Sequence, residues 1–244
     1  PLIVSSNKYL LLFDNPQKGY ADIGATEPGV FEWAAIGGLM KYFVVAGSNF
    51  KTISKSYAEL TGSQPMPPRW ALGNLQSRMG YRTQHETDSI VRLMQQDDFP
   101  LDAMILDFYW FGDSIHGTMG RLRWYKPSWP EPEKMISDFK SKGVKTILIT
   151  EPYILDSLEN FKIADELGIL ALDSLGDSYV NKEFYFGNGG LIDIFKPEAS
   201  QWFWEQYKKQ MNIGVAGWWG DLGEPENHPS DQIHIVGMAD EVHN

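Results

Sequence analysis

The chain contains no cysteine among its 244 residues. That excludes disulfide frameworks, thiolate metal sites and thiol nucleophiles, and it leaves the redox compartment open. Cations are also scarce: 21 Lys and Arg stand against 32 Asp and Glu, a formal net charge of −11. A field of that sign repels phosphate backbones and anionic lipid, so neither nucleic acid nor a membrane surface is an expected partner. No apolar run reaches the roughly 18 to 20 residues of a bilayer-spanning helix, so no membrane insertion is expected. Low-complexity segments and internal repeats are absent too. What is abundant is aromatic: 9 Trp, 11 Tyr and 13 Phe make up 14% of the chain. So many flat faces serve either a large core or a cleft in which sugars stack. The chain starts at Pro1 without an initiator Met or a signal-like segment and stops at Asn244 in mid-pattern, so it is expected to be a piece of a longer protein.

Two textures divide the sequence. Residues 1–62 carry short β-prone runs, Tyr9–Phe13 and Lys41–Ala46, bounded by Asn15-Pro16, Gly37-Gly38 and Gly47-Ser48 turn signals. This reads as the end of an antiparallel β-sandwich, followed by a helix over Ile53–Leu60 that stops at Gly62. Pro65, Pro67 and Pro68 make a stiff linker over residues 63–69. From 70 to 244 strands and helices alternate. Strands are expected at Trp70–Gln76, Leu101–Asp107, Val144–Thr150 and Val215–Asp221, with helices at Glu86–Gln96, Pro132–Lys142 and Glu198–Met211.

Such alternation implies parallel strands with right-handed crossovers, hence an α/β fold. A doubly wound sheet and a TIM barrel both fit. Gln76, Asp107, Glu151 and Asp221 all fall at expected strand C-terminal ends, the catalytic rim of a barrel. No Gly-rich phosphate turn follows the first strand, which disfavours the nucleotide-binding alternative. The expected architecture is therefore the first half of a TIM (β/α)8 barrel: four βα units over residues 70–244.

Three segments carry candidate chemistry. In Trp218-Trp-Gly-Asp-Leu-Gly-Glu224 an apolar strand delivers Asp221 to its mouth beside two indoles. A carboxylate so placed suits the nucleophile of a retaining glycosidase, which needs two carboxyl groups about 5 to 5.5 Å apart. The competing reading is that Asp221 caps a turn and Trp218 and Trp219 are core. In Ile105–Gly112, Asp107 offers acceptors for sugar hydroxyls, and Tyr109 and Trp110 offer stacking faces; alternatively Asp107 only ties down a loop. Glu151, in Thr150-Glu-Pro-Tyr153, is expensive at the mouth of an apolar strand unless it is paired or used. It would contact a hydroxyl, serve as a second carboxylate, or sit in a buried ion pair. His228, His234 and His243 lack metal-site spacing, and the Gly187–Gly190 run reads as a tight turn.

The motifs together resemble glycoside hydrolase family 31. They are Pro67-Pro-Arg-Trp-Ala-Leu-Gly73, Gln76-Ser-Arg78, Tyr81, Ile105-Leu-Asp107, the Pro130–Met135 helix start and Trp218–Glu224, in order over nearly the whole chain. The resemblance implies that Asp221 is the catalytic nucleophile, that Asp107 grips the −1 sugar, and that Trp219 lies close to a pocket-lining indole. It implies no cofactor and no metal. It also places the acid/base Asp, with an Arg and a His that hold the −1 sugar, beyond Asn244; the isolated chain is expected to be inactive. The Trp-Gly-Asp-Leu-Gly-Glu pattern, Glu151 and Tyr185–Gly190 look most like the bacterial oligosaccharide 4-α-glucosyltransferase branch.

The expected function is thus that of a retaining α-glucoside-active enzyme, of α-glucosidase or 4-α-glucosyltransferase type, with oligosaccharides as partners. Its substrate-binding set is Asp107, Tyr109, Trp110, Glu151, Trp218 and Trp219. The alternatives are a related α-glycosidase such as an α-xylosidase, or a non-catalytic carbohydrate-binding piece. Glu224-Pro225 resembles the acid/base motif of β-glycosidases, but position 223 is Gly where that motif has Asn. A periplasmic or secreted location is expected over a cytoplasmic one, and the oligomeric state is undefined.

Overall fold

The computed structural model describes residues 1–243 and separates into two compact units. One comprises Pro1–Met66 together with the segment from Gly237 on, and the other spans Pro67–Val236. The segment after Val236, expected to belong with the barrel residues, therefore groups with the N-terminal residues.

In the first unit, β1 (Leu2–Ser5), β2 (Tyr9–Phe13) and β5 (Tyr42–Ala46) form an antiparallel sheet in the order β1-β2-β5. A second antiparallel pair joins β3 (Gly19–Ile23) to β4 (Phe31–Ala35). The two sheets meet through aromatic rings: Phe13 stacks on Trp33 at 4.4 Å between centroids and tilts against Phe31 at 5.9 Å. Helix α1 (Phe50–Thr61) follows, capped where the Asn49 side chain accepts the Thr52 amide proton at 3.0 Å. Such a cap contributes about 1 kcal/mol. Ile53 is its buried residue, and Gly62, at φ 90°, ends it.

The second unit is built on four parallel strands. They are β6 (Leu75–Arg78), β7 (Ala103–Leu106), β8 (Lys145–Thr150) and β11 (Gly217–Gly220), side by side in the order β11-β8-β7-β6. Helix α2 (Gln84–Gln96) links β6 to β7, α3 (Pro132–Ser141) links β7 to β8, and α5 (Pro197–Asn212) precedes β11. Between β8 and α5 the chain makes an excursion through β9 (Tyr153–Leu155), α4 (Glu159–Glu166) and β10 (Gly189–Leu191). The starts of these linking helices follow from local chemistry. Thr83 accepts the Glu86 amide proton at 3.1 Å to begin α2. Prolines at the first turn, Pro132 and Pro197, supply the φ that a helix needs and lack only a proton that would have no partner.

Two local expectations change. Residues 69–72 form a 3-10 turn, and the first strand starts only at Leu75. Between the two, the Asp102 carboxylate accepts the Asn74 amide proton at 3.0 Å and fills the space where a side chain at Gly73 would go. Gly189-Gly190, read as a turn, lies in β10, paired with β9. A Cβ at Gly190 would meet the Phe161 ring at 2.9 Å, so the close approach explains the glycine.

The core lies between the sheet and its helices. Met104, Leu106 and Leu148 from the strands pack with Val91, Met135, Ile136 and Phe139 from the helices. At the strand C-terminal ends aromatic residues continue it: Trp110, Phe111 and Trp129 are fully buried. The two indoles also fasten the backbone, since Trp110 Nε1 donates to the Ile149 carbonyl at 2.9 Å and Trp129 Nε1 to the Tyr109 carbonyl at 2.6 Å.

Gly120 and Gly143 both have positive φ, at 87° and 82°, but only Gly120 is crowded. A Cβ there would stand 2.6 Å from Ile154 Cα and 2.7 Å from the Tyr153 carbonyl oxygen. In denaturant unfolding of the full-length protein, Gly143→Ala is expected to cost about 1 kcal/mol and Gly120→Ala more than about 3 kcal/mol. Equal effects would contradict the packing described here.

Candidate active site

Parallel pairing fixes which side chains share a face. Ile105 pairs with Ile147, Ile147 with Gly217 and Ile149 with Trp219. Side chains alternate along a strand with period two. Continuing that alternation past each strand end places Asp107, Glu151 and Asp221 on the same face as Ile105, Ile149 and Trp219. The ladder itself runs to this point, because the Asp221 amide donates to the Thr150 carbonyl at 3.0 Å. The three carboxyl groups are close enough for their charges to interact.

Their environments differ. Asp221 is half-buried at the mouth of its strand. Directly after it Leu222 adopts φ 53°, a left-handed conformation that costs a non-glycine residue about 1 to 2 kcal/mol. Leu222 packs against the core, which holds the sharp turn that presents Asp221. Asp107 is 4% exposed, and its Oδ1 accepts the Phe108 amide proton at 2.7 Å. Burial raises its pKa above the ordinary Asp value; the Phe108 bond opposes this and the Asp221 charge adds to it. The loop-tying role weighed for Asp107 is therefore real, and it leaves the second oxygen for other partners.

Glu151 is the deepest of the three, 1% exposed. No other residue donates a hydrogen bond to either of its oxygens. The buried ion pair considered for it is not formed among the described residues. Burial first, and then the charges of Asp221 and Asp107, push its pKa well above the ordinary Glu value. Because neither oxygen is accessible, the direct sugar contact expected of Glu151 is corrected to a buried place beside Asp221.

The aromatic expectations sort by face. Trp219 shares the carboxylate face and is 36% exposed, so its ring is open. Trp218 points the other way. It stacks on Tyr207 of α5 at 4.2 Å and 13°, and meets Trp110 edge-on at 6.5 Å. The stacking role expected of Trp218 is thereby corrected, since one residue of offset in a strand reverses the face. Trp110 is corrected as well: it is 0% exposed, wedged against Phe111 and Trp124. Tyr109 is buried, with the Arg82 guanidinium 5.1 Å over its ring, so its expected open face is covered. Gln76 lies within β6 rather than at its end and donates to the Tyr81 hydroxyl at 2.7 Å.

One buried constellation escaped the sequence reading. Asp193 and His234, 41 residues apart, pair through Nδ1 and Oδ1 at 3.2 Å, and Asp193 Oδ2 accepts the Ile235 amide at 2.9 Å. Lys196 Nζ lies 3.6 Å from the same carboxylate. Burial alone would raise the Asp193 pKa, but His234, the Ile235 amide and Lys196 outweigh it and hold it low. The pair anchors the loop after β11 to the excursion after β8. Only His234 and its aspartate neighbours in sequence offered a hint, and their spacing was not that of a local motif.

Parallel strands with carboxyl groups gathered beyond their C-terminal ends and an open indole on the same face have the layout of the C-terminal rim of a TIM-barrel domain. Residues 64–244 match the glycosyl hydrolases family 31 TIM-barrel domain, and the chain belongs to glycosyl hydrolase family 31. It is 30% identical over 220 residues to Alpha-glucosidase 2 of Bacillus thermoamyloliquefaciens, covering 88% of this chain and 27% of that protein. It is 29% identical over 226 residues to an alpha-xylosidase of Saccharolobus solfataricus, covering 93% of this chain and 28% of that one. The glucose complex of the Flavobacterium johnsoniae GH31 dextranase superposes with a TM-score of 0.90 at 31% identity, covering 100% of this chain and 30% of the dextranase. The chain thus spans less than a third of the length of these relatives.

The two adjacent tryptophans make opposite predictions. Trp218→Ala is expected to destabilise the full-length protein by about 2 to 4 kcal/mol, because its stack on Tyr207 is lost. Trp219→Ala is expected to stay within about 0.5 kcal/mol of wild type. Thermal or denaturant unfolding checks both, and a reversal of the order would contradict the facing described.

Proposed function

We propose that the protein containing this chain is a retaining α-glucoside-active enzyme in which Asp221 is the nucleophile. The observation that carries the reading is the placement of Asp221, the least buried of three carboxyl groups held on one face by strand register. In this mechanism an Asp221 oxygen attacks the anomeric carbon as the glycosidic bond breaks. The leaving oxygen takes a proton from the acid/base, and a covalent β-glucosyl ester forms. The same acid/base, now a base, then removes a proton from water or an acceptor hydroxyl, which displaces Asp221. Two inversions give net retention. Asp221 is this chain's contribution to that pair of carboxyl groups.

Its other residues hold the sugar. The free Asp107 oxygen is placed to accept a hydroxyl, and Trp219 offers a ring face against the apolar side of a pyranose. An open pocket of about 600 Å³, whose lining includes Tyr179, Val180, Asn181, Glu183, Asn227 and His228, lies between the loops that follow β8 and β11. Tyr153 ties one to the other, its hydroxyl donating to the Asn227 carbonyl and accepting the Asn227 amide proton, both at 2.9 Å. Amide, hydroxyl and charged groups of this kind suit further units of an oligosaccharide. The Trp-Gly-Asp-Leu-Gly-Glu pattern supports transfer to a sugar acceptor over transfer to water, the 4-α-glucosyltransferase reading. The alpha-xylosidase relatives support an α-xyloside as the second choice of substrate. A soluble oligosaccharide substrate fits a periplasmic or extracellular location.

Asp221→Ala in the full-length protein is expected to lower turnover of an activated α-glucoside at least about a thousandfold. Azide should restore product formation as the β-glucosyl azide, since a small anion fills the place of the missing carboxylate. Near-normal turnover, or no azide product of that configuration, would sink the assignment. Trp219→Ala is expected to raise KM by roughly tenfold, the effect of about 1.4 kcal/mol, with little change in kcat.

A further inference from the structure

Glu151 is placed where a carboxylate cannot keep its charge cheaply. Its two oxygens are sealed from solvent and receive no hydrogen bond from another residue. Nothing cationic approaches it among the described residues. The groups that do face it come from three elements: Asp107 beyond β7, Asp221 beyond β11, and Tyr207 on α5. Two are acids and the third is a phenol whose proton is held by burial. Like charges at such proximity do not all ionise, and the member with the poorest solvation keeps the proton.

We propose that Glu151 is a positioning residue that holds the proton of this three-carboxyl cluster, so that Asp221 is the charged member facing substrate. The proposal rests on Asp221 being the nucleophile, and it adds what that reading leaves open: why a third carboxyl group, sealed from solvent, lies beside it on the neighbouring strand. A neutral acid beside the nucleophile occupies buried space without adding a negative charge of its own. It reaches the reacting atoms only through Asp221 and Asp107.

The burial-driven rise in the Glu151 pKa agrees with the geometry. Its consequence for stability has a definite sign. The folded state holds a proton that the unfolded chain releases near the ordinary Glu value. Stability is therefore full below that value and declines as pH rises through the folded-state value. An isosteric amide in its place removes this slope.

The test combines infrared spectroscopy with a pH profile on the full-length protein. At neutral pH, wild type should show the C=O stretch of a protonated carboxylic acid. That band should shift when glutamate is 13C-labelled in the side chain, and it should be lost in Glu151→Gln. The isotope arm needs no variant, so a misfolded substitution does not blunt it. In Glu151→Gln the acid limb of kcat/KM should stay in place, because one neutral group replaces another. Absence of the band, its insensitivity to labelled glutamate or to the substitution, or an acid limb moved down by about one unit or more would overturn the proposal. Failure of Asp221 as nucleophile would show instead in its own variant and leave the infrared result standing.

Discussion

Carboxyl groups 107, 151 and 221 meet because three parallel strands run in register, and the character of the rim follows from the electrostatic cost of that meeting. No Lys, Arg or His pairs with any of the three among the described residues. Relief comes through unequal solvation. Asp221 stays at the half-exposed mouth, Asp107 keeps an amide donor, and Glu151 is sealed with none. One sheet thereby gives three chemically similar groups three distinct environments, the usual route by which a fold separates acid from base.

The aromatic excess serves this arrangement mostly from behind. Trp110 and Trp129 spend their N–H groups on the carbonyls of Ile149 and Tyr109, which fixes the backbone beside Glu151 and after Asp107. Trp218 stacks on Tyr207 and joins β11 to its helix. A rim held in this way keeps its carboxyl groups in fixed positions, the preorganisation that a charged transition state requires. Of the tryptophans near the strand ends, Trp219 is the one left open.

Much of this was legible in the residues. Alternating apolar strands and amphipathic helices implied a parallel α/β sheet, and the motifs from Pro67 to Glu224 pointed to the family to which the chain belongs. Asp107, Glu151 and Asp221 were visible as strand-end carboxyl groups because each terminates an apolar run. What the residues hid is instructive. The opposite facing of Trp218 and Trp219 was within reach, since period two puts Asp221 with Trp219, but the pair reads as one indole cluster until the pleat is applied. The burial of Trp110 and Tyr109 was not within reach, because both lie in the 3-10 turn Phe108–Trp110, where the strand period no longer holds. The Asp193–His234 pair depends on two loops 41 residues apart, and no local pattern encodes a contact of that range. Glu151 is the sharpest case: a polar residue at a strand mouth looks like a ligand for substrate, and only packing shows that it is sealed.

The central claim is that Asp221 is the residue that bonds to the sugar. An activated fluorosugar that forms the glycosyl-enzyme faster than it turns over would mark that residue directly. After rapid quench and peptide digestion, mass spectrometry of the full-length protein should find the sugar on the peptide that carries Asp221, with fragmentation locating it on that carboxyl group. A label on Asp107, Glu151 or Glu224, or stoichiometric inactivation with no covalent adduct, would contradict the account.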